Sequence, residues 1–239
     1  MRFVLALAVA LAASAADAAC EPVRHRDRAF TVCAADLARQ TASLRHLGPD
    51  GTPLGGFAAL ERRTDAPIAF AANAGMYHQD RRPVGLYVED GAEAKRIVTS
   101  DGPGNFGMLP NGVLCLGTQE AAVIESRAYA AAPPACAYAT QSGPMLVIDG
   151  ALHPRFIPDS RYVNRRNGVG ASPDGRTLYH VISDDLVSFH ELATLFRDVL
   201  GVRDALYLDG GTASRLYVPG LGRSDPGPRM GPMLVVTER

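Results

Sequence analysis

The chain lacks the excess of charge and the long apolar segments that mark several classes of protein. Its 24 Lys and Arg residues against 25 Asp and Glu residues give a formal net charge of -1, so no polybasic surface indicates nucleic acid or anionic lipid. Apart from residues 3–13, no apolar run approaches the ~20 residues that a membrane-spanning helix needs. We therefore expect no nucleic-acid partner and no membrane span, and a ligand that is recognised by a local site.

Two common catalytic signatures are also missing. No His-Glu-x-x-His run occurs, and the six histidines show no zinc-like spacing. The absence of a Gly-x-Ser-x-Gly elbow argues against a Ser-His-Asp hydrolase. We therefore expect no cofactor, although Asp184, Asp185 and Asp209 could hold a divalent cation if the fold brought them together.

Residues 1–18 have the three-part layout of a secretory signal peptide. A positive start and an apolar run over residues 3–13 precede small residues that favour cleavage after Ala18. Residues 19–239 suit a single domain with a sizeable core, and we expect this domain in the periplasm or outside a bacterial cell. A lipid anchor on Cys20 is the alternative, and it is disfavoured because Asp17 stands where such a signal carries an apolar residue.

All four cysteines fall in the mature chain, and an even number in an exported protein indicates disulfides. Three pairings are possible. Proximity in sequence favours Cys20–Cys33 and Cys115–Cys136, each of which would close a short loop and stabilise the fold by ~3 kcal/mol. Free buried thiols are the alternative.

Turn signals between β-prone segments predict a sheet-rich fold. Four such turns predict hairpins: Asp90-Gly91, Pro110-Asn111-Gly112, Asp149-Gly150 and Pro173-Asp174-Gly175. The first hairpin is expected to return over residues 95–99. Because hairpins pair antiparallel strands, the predicted fold class is α+β with mixed, mostly antiparallel sheets.

One helix is predicted near the C-terminus. Ser188 and Glu191 have the spacing of a capping box, and Gly201 stands where a left-handed cap would end the helix. Between these ends a single apolar stripe recurs at helical spacing, formed by Leu192, Leu195, Phe196, Val199 and Leu200.

This helix lies between two apolar segments, residues 178–183 and 205–208, which gives a strand-helix-strand unit. In a parallel unit the carboxyl ends of both strands share one edge of the sheet. We therefore expect Asp184, Asp185 and Asp209 to face a common crevice.

Several loops carry groups suited to a sugar or phosphate ligand. Gly210 and Gly211 let the backbone turn sharply after Asp209, and Thr212 and Ser214 add short hydroxyl donors. Arg165 and Arg166 offer guanidinium groups, which bind phosphate in a bidentate way. Other loops of small polar residues contribute Asn73, Gly75, Asn105, Ser142 and Gly143. Each loop alone is equally compatible with a plain turn or a solvated surface.

Taken in order, these loops resemble the phosphodiester glycosidase family over about residues 73–235. The resemblance rests on six motifs: Asn73-Ala74-Gly75-Met76-Tyr77, Pro83-Val84-Gly85-Leu86, Asn105-Phe106-Gly107, Ser142-Gly143-Pro144-Met145-Leu146, Arg166-Asn167-Gly168-Val169-Gly170 and Leu208-Asp209-Gly210-Gly211. Three of them depart from the family pattern. Ala74 replaces a glycine, Asn167 replaces a threonine, and Thr212-Ala213-Ser214 follows Gly211 where the family has Gly-Ser.

The resemblance implies a hydrolase that cleaves the glycosidic bond of a sugar 1-phosphodiester, with Asp209, Arg166 and Asn73 as catalytic residues. Arg166 would bind the phosphate, Asp209 would act at the anomeric centre, and Asn73 would fix a sugar hydroxyl. We expect substrate contacts from Gly75, Asn105, Ser142, Gly143, Asp184, Gly210, Gly211, Thr212 and Ser214, with Asp184 or Asp185 as second carboxylate.

Two alternatives stay open. One is a non-catalytic periplasmic module that binds glycan phosphates or takes part in envelope polysaccharide assembly, which the altered motifs make credible. The other is a phosphodiesterase that breaks the phosphorus–oxygen bond. A buried Asp209 with a raised pKa would favour the glycosidase over the binding module.

Overall fold

The computed structural model describes residues 20–239, so the predicted signal peptide lies outside the described residues. Residues 20–239 form seventeen strands and three α-helices. The strands are β1 (Cys20–His25), β2 (Arg28–Asp36), β3 (Gln40–Arg45), β4 (Ile68–Asn73), β5 (Tyr87–Glu89), β6 (Ala92–Lys95), β7 (Gly112–Leu116), β8 (Ala121–Glu125), β9 (Tyr138–Ser142), β10 (Met145–Ile148), β11 (Ala151–Leu152), β12 (Asn167–Ala171), β13 (Thr177–Ser183), β14 (Ala205–Tyr207), β15 (Leu216–Val218), β16 (Arg223–Ser224) and β17 (Met233–Glu238). The helices are α1 (Phe57–Glu61), α2 (Ser126–Ala131) and α3 (Phe189–Thr194).

The strands form three sheets. A seven-stranded sheet has the order β1-β2-β13-β12-β14-β10-β11, and two five-stranded sheets have the orders β16-β15-β4-β17-β3 and β6-β5-β9-β7-β8. Every strand pair within the described residues is antiparallel. The predicted predominance of antiparallel sheet is thereby confirmed.

Along the chain α3 connects β13 to β14, and in the seven-stranded sheet β12 lies between these two strands. Because β12 pairs antiparallel with both, β13 and β14 run in the same direction without being hydrogen-bonded neighbours. Asn167 at the start of β12 is opposite Ile182 near the end of β13, and Gly168 is opposite Tyr207 at the end of β14. The residues that open β12 therefore share a sheet edge with those that follow β14.

The core lies between the sheets and beneath α3. Its largest cluster joins side chains from all three sheets, including Phe70, Leu114 and Val169. A second cluster packs Leu192 and Phe196 against the seven-stranded sheet. Burying these large apolar side chains removes them from water, which contributes roughly 1.5–3 kcal/mol for each one.

The start of α3 confirms the predicted capping box between Ser188 and Glu191. Its far end differs from the predicted stripe, because the helix continues into a π-helical turn over Leu195–Val199. The wider turn breaks the 3.6-residue period, so Val199 is 50% exposed instead of buried. Gly201 then takes the left-handed conformation expected at the helix end.

Two of the predicted hairpins have left-handed residues at both turn positions, Asp90-Gly91 and Asp149-Gly150, as a two-residue turn requires. The first returns at once over β6, earlier than predicted. The hairpin predicted at Gly112 is wrong: Gly112 begins the single strand β7, which pairs with β8 and β9. Its turn signal fails because neither Asn111 nor Gly112 adopts a positive φ.

Both predicted disulfides are confirmed. Cys20 is bonded to Cys33 across the β1–β2 pair, and Cys115 on β7 is bonded to Cys136. The bond from Cys20 occupies the sulfur that a lipid anchor would need. No helix in residues 20–239 has the length and apolar character to cross a bilayer.

Candidate active site

Three chain segments meet where β12 begins and where β4 and β14 end. The Asp209 carbonyl accepts hydrogen bonds from Nδ2 of Asn73 at 2.7 Å and from Nδ2 of Asn167 at 2.6 Å. The Asp209 N–H donates to the Ala74 carbonyl at 3.3 Å. Because Asn73 and Asn167 are fully buried, two amides without access to solvent fix the backbone of Asp209.

The carboxyl group of Asp209 is partly buried in this junction. It accepts a hydrogen bond from the N–H of Gly210 at 3.0 Å, and the backbone N–H of Tyr77 lies close enough to favour its ionised form. Burial raises the pKa of Asp209 to about 6, although these two N–H groups and the charge of Arg81 act in the opposite direction. Desolvation is therefore the larger effect, and it gives the carboxyl a pKa suited to proton exchange near neutrality.

Arg166, directly before β12, is a buried guanidinium without an acidic partner. The residue is 3% exposed. Its Nε donates to the Val187 carbonyl at 2.9 Å, and its Nη2 donates to the Tyr162 carbonyl at 3.1 Å. No carboxylate of residues 20–239 forms an ion pair with it, and burial lowers the pKa of Arg166. A buried charge ordinarily requires a counter-charge, so this position is suited to an anion.

The hydroxyl of Tyr207 links Arg166 to the Asp209 loop. It lies 3.5 Å from Nη1 of Arg166. Burial raises the pKa of Tyr207; the charge of Arg166 opposes this rise, and the charge of Asp209 adds to it. A Cβ on Gly210 would lie 1.5 Å from the Tyr207 hydroxyl, so glycine is required here. Arg166 and the glycine after Asp209 thus both adjoin the Tyr207 hydroxyl, whereas no ion pair or hydrogen bond joins Asp209 to Arg166 directly.

A cavity of about 460 Å³ opens beside Arg166. Its wall includes Asn105, Phe156 and Phe189. The Cζ atom of Arg166 lies 3.7 Å from the centroid of the Phe189 ring, and this ring stacks on Phe156 with centroids 5.1 Å apart. Cation–π attraction and ring stacking therefore fix the orientation of the guanidinium.

Several residues predicted to contact substrate hold the loops together. A Cβ on Gly75 would lie 2.4 Å from the Gln141 carbonyl, and one on Gly143 would lie 2.6 Å from Cβ of Asn111. Ser142 between these contacts is fully buried. These small residues allow the loop after β4 and the loop after β9 to approach the backbone of their neighbours closely.

The turn after Asp209 is held by hydrogen bonds to Arg165 and Asn167, at the start of β12. The Gly211 N–H donates to the Arg165 carbonyl at 3.0 Å. The Ser214 hydroxyl accepts from Nδ2 of Asn167 at 2.9 Å and donates to the same Arg165 carbonyl at 3.2 Å. Thr212, by contrast, is exposed. The departure from the family pattern at Asn167 therefore places an amide where it supports both Asp209 and Ser214.

Asp184 and Asp185 have partners on β2 and β16. Asp184 pairs with Arg223 at 2.9 Å and accepts from the Thr31 hydroxyl at 2.7 Å. Asp185 accepts from the Ala29 N–H at 2.8 Å. Within residues 20–239, no group of three or more His, Cys, Asp or Glu side chains is placed to hold a metal ion. Neighbouring groups on β2 and β16 bind the first two aspartates, so the three do not converge on a common cation, and a crevice shared by all three stays a prediction.

The sequence patterns did not identify Tyr207 or Phe189 as site residues, and Tyr77 and Asn167 stood out only as parts of motifs. A signal for Tyr207 was present. Side chains two apart on an extended segment point to the same face, which places Tyr207 beside Asp209. No comparable signal identified Phe189, because its stacking on Arg166 depends on how α3 packs.

The sequence matches the profile of the phosphodiester glycosidase family over residues 66–237. The uncharacterized protein YigE of Escherichia coli (strain K12) is 32% identical over 153 residues, which are 64% of this chain and 59% of YigE. The chain therefore spans less than two thirds of the length of this relative.

Solved structures show the same fold. The catalytic domain of zebrafish N-acetylglucosamine-1-phosphodiester alpha-N-acetylglucosaminidase, auto-inhibited by its pro-peptide, aligns with a TM-score of 0.62 and 13% identity over 92% of this chain and 82% of that one. A putative exported protein of Burkholderia pseudomallei aligns with a TM-score of 0.58 and 14% identity over 88% and 74% of the two chains. The profile match covers most of the sequence, and the chain belongs to the phosphodiester glycosidase family.

Proposed function

We propose that the protein is an exported hydrolase that cleaves the glycosidic bond of a sugar 1-phosphodiester and releases a free sugar and a phosphomonoester. The observation that carries this proposal is the buried, unpaired guanidinium of Arg166, joined through Tyr207 to an Asp209 whose pKa is raised to about 6. Family membership supports a glycosidase. The name of the zebrafish enzyme supports the phosphodiester bond as the point of attack.

The leaving group explains why an arginine takes the place of an acid. Glycoside hydrolysis builds negative charge on the leaving oxygen, and most glycosidases supply a proton from a carboxylic acid there. A phosphomonoester is already a stable anion, so it needs a positive charge more than a proton. Arg166 provides that charge in a buried position, where electrostatic interactions are stronger than in water.

Asp209 acts at the other side of the scissile bond. In its ionised form it faces the anomeric carbon, where it attacks the carbon or takes a proton from the attacking water. Water adds to that carbon, the carbon–oxygen bond to phosphate breaks, and its electron pair leaves with the phosphomonoester. Asn73 and Asn167 are positioning residues in this scheme, because their amides hold the Asp209 carbonyl. No cofactor enters the reaction.

Export fits the covalent structure. Two disulfides persist in an oxidising compartment, and one structural relative is described as exported. We place the mature domain, residues 19–239, in the periplasm or outside the cell.

The test uses the mature protein and a panel of sugar 1-phosphodiesters, with free sugar as the product measured. Asp209→Asn should lower kcat/KM by about 10²–10³-fold, because a charge that acts only in the transition state is lost. Asp149→Asn is the matched control, since Asp149 also precedes a glycine but its side chain is exposed. Equal turnover by Asp209→Asn and wild type would overturn the assignment.

Heavy-oxygen water separates the alternatives. Label in the sugar identifies cleavage of the carbon–oxygen bond and supports the glycosidase. Label in the phosphate would identify a phosphodiesterase. Tight binding of the diesters without any turnover would identify a module that only binds glycan phosphates.

A further inference from the structure

We propose that the cavity beside Arg166 holds the aglycone, the group on the far side of the phosphate from the sugar, and that this aglycone is apolar. The inference rests on the proposed function and names the substrate class that the site takes. It draws on three features of the cavity: its position relative to Asp209, the apolar side chains at its opening, and the sign of its charge.

The position of the cavity follows from the chain of contacts at the site. Tyr207 approaches the Asp209 loop on one side and Arg166 on the other. Arg166 lines the cavity, whereas Tyr207 and Asp209 do not. A diester with its anomeric carbon at Asp209 and its phosphate at Arg166 therefore directs its remaining substituent into the cavity. A volume of about 460 Å³ is in the range of small-molecule sites.

Apolar side chains at the cavity are unusually open to water. Ile157 is 66% exposed and Tyr162 is 83% exposed. They are two of only six large hydrophobic residues exposed within residues 20–239, and both line this cavity together with Met108 and Phe156. Exposed apolar groups gathered at one concave site favour a ligand that removes them from water.

The charge of the cavity excludes a cationic aglycone. An aromatic wall alone would suit a quaternary ammonium group. Here, however, Arg155 and Arg166 both line the cavity, and no Asp or Glu of residues 20–239 lines it. With the phosphate at Arg166, the guanidinium of Arg155 remains and no lining carboxylate offers a counter-charge to a cation, so the aglycone that fits is uncharged. The exposed side chains of Ile157 and Tyr162 favour an apolar group, such as an alkyl or aryl group.

The experiment compares 1-phosphodiesters of one sugar that differ only in the aglycone: methyl, hexyl, choline or a second hexose. The wild-type protein should prefer hexyl over methyl by at least about tenfold in kcat/KM, since each buried methylene adds favourable transfer free energy. Hexyl phosphate should also bind more tightly than methyl phosphate in calorimetry. This second measurement needs no catalysis, so the proposed function and the inference can fail separately.

The double variant Ile157→Ser/Tyr162→Ser should bring the hexyl-to-methyl ratio of kcat/KM close to one, because it removes two apolar side chains from the cavity, and both are exposed and lie outside the fold's core. Leu221→Ser is the control, since Leu221 is 61% exposed but does not line this cavity. An unchanged ratio in the double variant, or a preference for methyl, choline or the second hexose, would overturn the inference.

Discussion

Arg165 and Arg166 are neighbours in sequence, yet the fold satisfies one charge and leaves the other unpaired. Arg165 pairs through Nη2 with Asp225 at 2.7 Å, and Arg223 pairs with the same carboxylate at 3.1 Å. Arg166 is more deeply buried, and its polar partners are carbonyl groups and a phenol. One guanidinium is thus part of a closed ion-pair network, and the other retains donors and charge for a ligand.

The difference shows how the fold uses one arginine for stability and leaves its neighbour available for a ligand. Consecutive residues entering a strand point to opposite faces of the sheet. The face of Arg165 meets Asp225, whose carboxylate also accepts the Leu216 N–H. The face of Arg166 meets the aromatic rings of α3 and β14, where no acid is present among the described residues. Burying a charge without a counter-ion from the protein is unfavourable, and such charges are expected at functional sites.

Of the experiments that compare Arg165 with Arg166, the one with the largest expected effect measures turnover. Arg166→Ala should lower kcat/KM for a sugar 1-phosphodiester by about 10²–10³-fold, because it removes the charge that stabilises the leaving phosphate. The exposed Arg161→Ala variant should stay within about twofold of wild type. Steady-state assays of free sugar measure both. Similar values of kcat/KM for Arg166→Ala and Arg161→Ala would contradict the role of Arg166 at the leaving phosphate.

The second effect is on stability, and we expect it when Arg165 is substituted. Arg165→Ala should lower the free energy of unfolding by ~1–3 kcal/mol, because it breaks a charge-assisted hydrogen bond in a partly buried network. Burial alone would raise the pKa of Asp225, but Arg223 and Arg165 hold it below its ordinary value. The network therefore contributes stability above the ordinary carboxyl pKa and loses it as the pH falls. Urea unfolding should show that Arg165→Ala lowers the free energy of unfolding more at pH 7 than at pH 3. An equal decrease at both pH values would contradict this prediction.

The smallest effect concerns pH. The pKa of Asp209, raised to about 6 by burial, predicts that kcat/KM of the wild type rises with pH below about 6 and levels off above it. Because the folded protein disfavours the ionised form, stability should decrease as the pH rises from the ordinary carboxyl range through 6. Asp209→Asn should therefore be at least as stable as wild type at pH 7.5. A flat activity profile between pH 5 and pH 7, or a clearly less stable Asn variant, would contradict the assignment.

Local signals predicted those parts of the fold that local chemistry decides. The capping box at Ser188 and the turns at Asp90-Gly91 and Asp149-Gly150 depend on a few adjacent residues, and the structure has them. The hairpin at Gly112 failed because the same residue types can enter a single strand when β8 and β9 supply its partners. The π-helical turn after α3 left no mark in the apolar spacing that could be distinguished from a regular helix.

The site was less accessible to sequence reasoning than the fold. Asp209 and Arg166 could be identified as candidates from ordered motifs. Their arrangement in space could not be predicted, because no sequence pattern indicates that Tyr207 lies between them. Nor could the sequence show which of Arg165 and Arg166 finds an acid, since Asp225 lies 60 positions further along the chain. The partner of Asp184 could not be predicted either, because only the folded chain brings Arg223 to β2.

The account is tested most directly by the binding of a simple phosphomonoester, methyl phosphate, to wild type, Arg165→Ala and Arg166→Ala at pH 7.5, measured by calorimetry. We predict that Arg165→Ala binds within about threefold of wild type and that Arg166→Ala binds at least about tenfold more weakly, since a charge-assisted bidentate contact is lost only in the second variant. Equal affinity of wild type and Arg166→Ala for methyl phosphate would contradict the claim that the unpaired guanidinium is the phosphate site.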